Sequence, residues 1–114
     1  MPNRHHRFDY YELTVPDVAA AKRFYGEAFG WAFTDYGPGY AGIQGDDTEV
    51  GGLAQGEVRP GGPLMVLYSD DLEASLASVE GAGGKVVEAI FSFPGGRRFH
   101  FADPAGNVLG VWGS

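Results

Sequence analysis

The sequence predicts an α+β fold in which two tandem βαβββ units form a curved mixed sheet around a cleft. Three observations lead there. Glycine is 19 of 114 residues, far above the ~7% of ordinary chains. The glycines cluster as Gly37-Pro38-Gly39, Gly51-Gly52, Gly61-Gly62-Pro63, Gly83-Gly84 and Pro94-Gly95-Gly96, with short apolar or alternating runs between them. That is punctuation between strands. Two segments open on an Asp, carry one apolar helical face and close on Gly. Finally, the two halves superimpose at an offset of 54: Asp17 onto Asp71, Val18 onto Leu72, Gly30 onto Gly84, Phe33 onto Val87. Self-similarity at a fixed offset marks a duplicated unit. One unit alone has a helix on one sheet face only, so pairing two units covers more apolar surface.

The elements follow in order. Met1 to Arg7 is polar, contains His5-His6, and reads as a flexible tail. Phe8 to Val15 is aromatic and β-branched, a strand stopped by Pro16. Asp17 can cap a helix by accepting an orphan amide of the first turn. Val18, Ala21, Tyr25 and Ala28 then share one helical face. Gly30 sits where a left-handed closing residue is needed, so 17–29 is a helix. Trp31 to Tyr36, Tyr40 to Gln44 and Glu49 to Gln55 are three short strands. The second half repeats this. Leu64 to Ser69 is a strand, and Asp71 caps a helix with Leu72, Ser75, Leu76 and Val79 on its inner face. Gly83-Gly84 closes it, and Lys85 to Phe91, Arg98 to Phe101 and Asn107 to Trp112 are strands. The whole is one domain over 8–112, with half-units about 8–55 and 63–112.

Composition narrows the function. Eight basic against fifteen acidic residues give a net charge of −7. Phosphate binding needs a basic face, so nucleic acid and anionic membrane surfaces are excluded as partners. Hydrophobic residues are 44% and aromatics 14%, enough for a real core. No cysteine is present, which removes disulfides, thiolate nucleophiles and Cys-based metal sites. No apolar run approaches the ~20 residues of a membrane span, and no apolar signal core is seen. A soluble, cytoplasmic protein is expected.

Residues 11–31, YELTVPDVAAAKRFYGEAFGW, with Val50-Gly51-Gly52-Leu53, Gly96-Arg97 and the turn Asp103-Pro104-Ala105-Gly106-Asn107, resemble the vicinal oxygen chelate superfamily. That superfamily holds glyoxalase I, bleomycin-resistance proteins, fosfomycin-modifying enzymes and extradiol dioxygenases. The chain is most similar to its small lactoylglutathione-lyase-like proteins, over about residues 8–112. One such scaffold hosts several reactions and some pure binders.

The resemblance implies where a metal would sit. Metal-using members hold a divalent cation on His and Glu from matching strands. The first ligand position here is Tyr10, its second-half equivalent is Leu64, and the last is Gly110. The strand-four ligand falls in Val50 to Gln55, with Glu49 the only ionisable residue nearby. Leu and Gly carry no side-chain donor, and a divalent cation needs several converging at ~2.0–2.6 Å. No metal and no other cofactor is expected.

Strand alternation selects the remaining candidates. Leu13 and Val15 suit the helix-packed face, leaving Tyr10, Glu12 and Thr14 toward the cleft. Leu109 and Val111 suit the packed face of the last strand, leaving Val108, Gly110 and Trp112 toward the cleft. Phe99 and Phe101 suit the core, leaving Arg98 and His100 opposite. The spacing of His100 from Gly110 matches that of a catalytic tyrosine in extradiol dioxygenases, as the resemblance implies. Glu12 and His100 are therefore the candidate acid–base pair, and Tyr10, Arg98 and Trp112 the candidate ligand contacts. A carboxylate on a half-buried strand is costly unless paired, so Glu12 equally suits a structural pairing with Arg98 or Tyr10. His100 equally suits a structural histidine, and Trp112 a core or dimer contact.

Three functions stay open. The leading one is a small-molecule-binding protein of the glyoxalase/bleomycin-resistance type with a metal-free cleft. The second is a metal-independent acid–base enzyme acting through Glu12 and His100 on a small polar substrate. The third is a metal-dependent lyase or dioxygenase with relocated ligands. A homodimer is expected, because long strand edges and a shallow sheet invite pairing and the resemblance points the same way.

Overall fold

The computed structural model describes residues 4–58 and 60–114. Its elements run β1 (Phe8–Val15), α1 (Val18–Phe29), β2 (Phe33–Asp35), β3 (Tyr40–Gln44), β4 (Glu49–Gln55), β5 (Leu64–Tyr68), α2 (Leu72–Gly81), β6 (Lys85–Phe93), β7 (Gly96–Ala102) and β8 (Val108–Gly113). This is βαβββ twice over, the expected α+β class. The chain divides into a unit of Tyr10–Pro63 and a unit of Leu64–Ser114 that takes in the N-terminal residues up to Asp9.

Within the first unit the strand order is β2-β3-β4-β1. β1 and β4 are parallel, and the other pairs antiparallel. The second unit repeats the pattern as β5-β8-β7-β6, with β5 and β8 parallel. Each set of four strands is thus mixed. In the first unit α1 packs Val18, Ala21 and Tyr25 onto Ala41, Ile43 and Leu53 of the sheet. In the second, Leu72, Leu76 and Val79 of α2 pack with Phe99 and Val111.

The helix starts obey the duplication. Asp17 Oδ1 accepts from the Ala20 amide at 3.0 Å, and Asp71 Oδ1 from the Ala74 amide at 3.1 Å. α1 closes on Gly30, whose φ of 73° and amide bond to the Gly26 carbonyl make a left-handed cap. α2 ends at Gly81, two residues short of the Gly83-Gly84 pair, and Gly83 takes the positive φ of 99°. Replacing either Asp17 or Asp71 by Ala is expected to cost about 1 kcal/mol. Urea unfolding of each variant measures it, and an unmoved midpoint would show that the cap contributes nothing.

Several strand ends shift by one or two residues from the sequence reading, β6 running on to Phe93 and β7 starting at Gly96, and two differences have a visible cause. β2 is limited to Phe33–Asp35 because Trp31 leaves the strand to stack on Tyr25 of α1, with centroids 4.7 Å apart and planes 9° from parallel. Of the tail expected over 1–7, residues 1–3 lie outside the described residues, and residues 5–7 make hydrogen bonds to the second unit. The His6 amide donates to the Tyr68 carbonyl at 2.7 Å, and the Tyr68 amide to the Arg7 carbonyl at 3.1 Å. The Asp70 amide donates to His5 Nδ1 at 2.8 Å. Residues 5–7 are thus docked along the end of β5. Among the described residues no helix is long and apolar enough to cross a membrane.

Candidate functional site

In the first unit, Tyr11, Leu13 and Val15 of β1 pack toward α1. Alternation therefore turns Tyr10, Glu12 and Thr14 to the opposite face. Ala41 and Ile43 of β3 also point into the core, which leaves Tyr40 and Gly42 with Tyr10 and Glu12. The register sets Gly52 of β4 between Glu12 and Gly42. A β-bulge then brings in a further group. Ile43 pairs with Gly51 but Gln44 pairs with Glu49, so Val50 is the extra residue. Such a bulge re-aims side chains: Val50 packs into the core, and Glu49 turns to the Tyr40 side.

These residues form one hydrogen-bonded array. The Tyr40 hydroxyl donates to Glu12 Oε2 at 3.0 Å. The Tyr10 hydroxyl donates to Glu49 Oε2 at 3.0 Å and lies 2.7 Å from the Tyr40 hydroxyl. The exposed Tyr36 donates to Glu49 Oε1 at 2.5 Å. Glu12 itself is only 5% exposed. The array exists because Gly42 and Gly52 leave room for it. A Cβ at Gly42 would overlap the Glu49 carboxylate, and one at Gly52 would overlap the Tyr40 hydroxyl.

The electrostatics follow from the geometry. Burial first, and then the bonds and charges of Tyr40 and Glu49, push the Tyr10 phenol well above the ordinary tyrosine value. The Glu49 bond raises Tyr36 too. A raised folded value means stability fully present below pH ~10 and lost as pH rises beyond the unfolded value. Spectrophotometric titration should therefore show a phenol that resists ionisation until the chain unfolds in alkali. Tyr10→Phe should delete it; an equal count of resistant phenols in that variant would refute the assignment. At neutral pH Tyr10 is a hydrogen-bond donor and not a base, and the array offers carboxylate oxygens to a cation or a donor-rich ligand.

In the second unit, Phe99 and Phe101 of β7 enter the core, and Arg98 and His100 take the other face as expected. His100 is 5% exposed and pairs in register with Gly110. A Cβ at Gly110 would come within 3.3 Å of its ring, with Val66 and Leu64 close by. His100 Nδ1 is 3.2 Å from Glu88 Oε1. The Arg98 guanidinium lies 5.3 Å from the Phe91 ring centre and 5.4 Å from that of Phe93, in cation–π range of both. Trp112 Nε1 donates to Asp9 Oδ2 at 2.9 Å, and its ring meets Tyr68 edge-on. Sequence reasoning missed Tyr40, Tyr36 and Glu88. Alternation through Tyr40-Ala41-Gly42-Ile43 was a readable signal for Tyr40; the other two depend on turns and bulges.

The positions where the fold family holds a metal do not fit one. The Tyr10 hydroxyl is engaged with Tyr40 and Glu49, Leu64 is a fully buried apolar side chain, and Gly110 has no side chain. Among the described residues no three His, Asp or Glu side chains are grouped to hold an ion.

Comparison with known proteins agrees with this architecture. Anthracycline biosynthesis protein DnrV of Streptomyces peucetius is 36% identical over 124 aligned residues, covering 90% of this chain and 45% of the relative. The chain thus spans less than half the length of the curated relatives it matches. The Mn(II)-bound glyoxalase from Novosphingobium aromaticivorans superposes with a TM-score of 0.69 at 26% identity, over 98% of this chain and 40% of that one. Methylmalonyl-CoA epimerase from Mycobacterium tuberculosis shares the fold, with a TM-score of 0.74 at 14% identity over 99% of this chain and 92% of that one. The family model of the Glyoxalase/Bleomycin resistance protein/Dioxygenase superfamily matches residues 7–111. With βαβββ units in both halves and a match over nearly its whole length, the chain belongs to that superfamily.

Proposed function

We propose that this protein binds a small organic molecule without a metal, in the manner of the bleomycin-resistance members of its family. The observation that carries this reading is the hydroxyl–carboxylate array of Tyr10, Tyr40, Glu12 and Glu49, cleared by Gly42 and Gly52. Tyr10 holds a position where the family resemblance implies a ligand, and the array presents acceptors. The ligand it suits is a cation or a molecule rich in donors. The name of DnrV, an anthracycline biosynthesis protein, suggests an anthracycline as probe; one bearing a cationic amine matches the acceptors, and its own fluorescence reports binding. Titration should give saturable quenching. A hydrogen bond to a charged group contributes ~1.5–3 kcal/mol, so Glu49→Gln should weaken binding roughly tenfold or more. Equal quenching by wild type and variant, or one Mn or Zn per chain by elemental analysis, would overturn the proposal.

A second reading has its own observation. The His100–Glu88 pair at 3.2 Å orients an imidazole, as acid–base catalysis requires. Proton exchange at a carbon acid, lost in His100→Gln and unaffected in Glu49→Gln, would favour this enzyme. A homodimer is also proposed, on the grounds of strand edges, and light scattering at about the 12.2 kDa of one chain would refute it.

A further inference from the structure

The second unit contains a cavity of ≈ 300 Å³ that is separate from the tyrosine–glutamate array. It lies on the α2 side of the sheet. Leu67, Val79, Phe101 and Val111 give it apolar walls, and the exposed Ser78 of α2 and Ala82, which follows the helix, stand at its mouth. Ligand pockets have this composition and lie at the small end of this size range.

One polar handle reaches into it. His6 Nε2 lies 2.9 Å from Ser75 Oγ, and Ser75 Oγ lies 2.6 Å from Ser69 Oγ. Ser69 Oγ accepts from the Asp71 amide at 3.1 Å. Both serines are buried, at 1% and 5% exposure. Since Ser69 already accepts from an amide, one direction gives each hydroxyl proton an acceptor: Ser69 donates to Ser75, and Ser75 to a neutral His6 Nε2. The His6 backbone is held at a φ of 60°, the one positive value at a non-glycine among the described residues. The segment accepts an uncommon conformation to keep this ring in place. The remaining acid, Asp103, is committed elsewhere, since its carboxylate accepts from the Ala105 and Asn107 amides and the Asn107 side chain.

We infer that this cavity is a second binding site, for a small single-ring molecule carrying one hydroxyl group. The apolar walls take the ring. The hydroxyl enters between Ser75 and His6, accepting from Ser75 and donating to His6 Nε2, which leaves no partner unsatisfied. A carboxylate has no proton to donate there, and a hydrocarbon offers neither function. His6 is exposed.

The test is NMR titration of the full chain with p-cresol, toluene and 4-methylbenzoate. p-Cresol should shift the signals of Val79, Phe101 and Ser75 saturably. One net hydrogen bond contributes about 1 kcal/mol, so toluene should bind roughly fivefold more weakly. Ser75→Ala should erase that preference. Ala82→Phe and Ser78→Phe, at exposed mouth positions that leave the core intact, should each abolish binding with an unchanged circular dichroism spectrum. Glu49→Gln should have no effect, separating this site from the tyrosine–glutamate array. Absence of saturable shifts at these residues, shifts confined to Tyr10 and Tyr40, or undiminished binding in both mouth variants would overturn the inference.

Discussion

Replacing Phe99 by Ala is expected to remove about 3–5 kcal/mol of stability, the range for emptying a buried aromatic position. Phe99 is wholly buried in β7, between β6 and β8 of the second unit. It packs with Leu72 and Val111 and lies 6.3 Å from the Phe101 ring. The loss combines the transfer energy of the ring with the cost of the void, because β7, held by ladders to β6 and β8, collapses little. Total stabilities are ~5–15 kcal/mol, so this variant sits near the edge of folding. Guanidinium unfolding measures the effect. A loss under ~1 kcal/mol would mean that the second core is not organised around this ring.

Replacing Gly52 by Ala should disable the tyrosine–glutamate array and leave the chain folded. The new methyl would overlap the Tyr40 hydroxyl and come 2.8 Å from that of Tyr10. Tyr40 must rotate away, breaking its bonds to Glu12 and Tyr10. Overpacking costs ~1–3 kcal/mol, and the loss of a hydrogen bond to a charged group adds ~1.5–3 kcal/mol. The alkali-resistant phenol should become titratable, and anthracycline quenching should fall at least tenfold. Gly81→Ala is the matched control. Its Cβ would meet nothing within 4 Å, and Ala is the better helix former, so stability should hold or rise. If Gly52→Ala behaves like Gly81→Ala, the array does not depend on the clearance at Gly52.

Much of the fold was legible in local sequence. The two Asp caps, the single apolar face of each helix and the period-2 alternation of β1, β7 and β8 are set by residues within a few positions of one another. Glu12, Tyr10, His100, Arg98 and Trp112 took their expected faces for that reason. Alternation fails at a bulge, since one extra residue inverts every later side chain. Glu49 was visible as an ionisable residue near β4, yet its place depends on Val50 being skipped against β3. Glu88 reaches His100 across a β6–β7 ladder with register shifts on either side of it.

The sequence by itself determined the duplicated βαβββ order and the two Asp helix starts, because each depends on residue type at a fixed local spacing. Only the tertiary structure decided that Tyr40 bridges Glu12 to Tyr10, that Trp31 leaves its strand for Tyr25, and that His6 closes on Ser75, 69 residues away. Those contacts join segments far apart in the chain. Their partners are selected by register, by bulges and by the space that Gly42 and Gly52 leave, and such quantities exist only once the strands have paired.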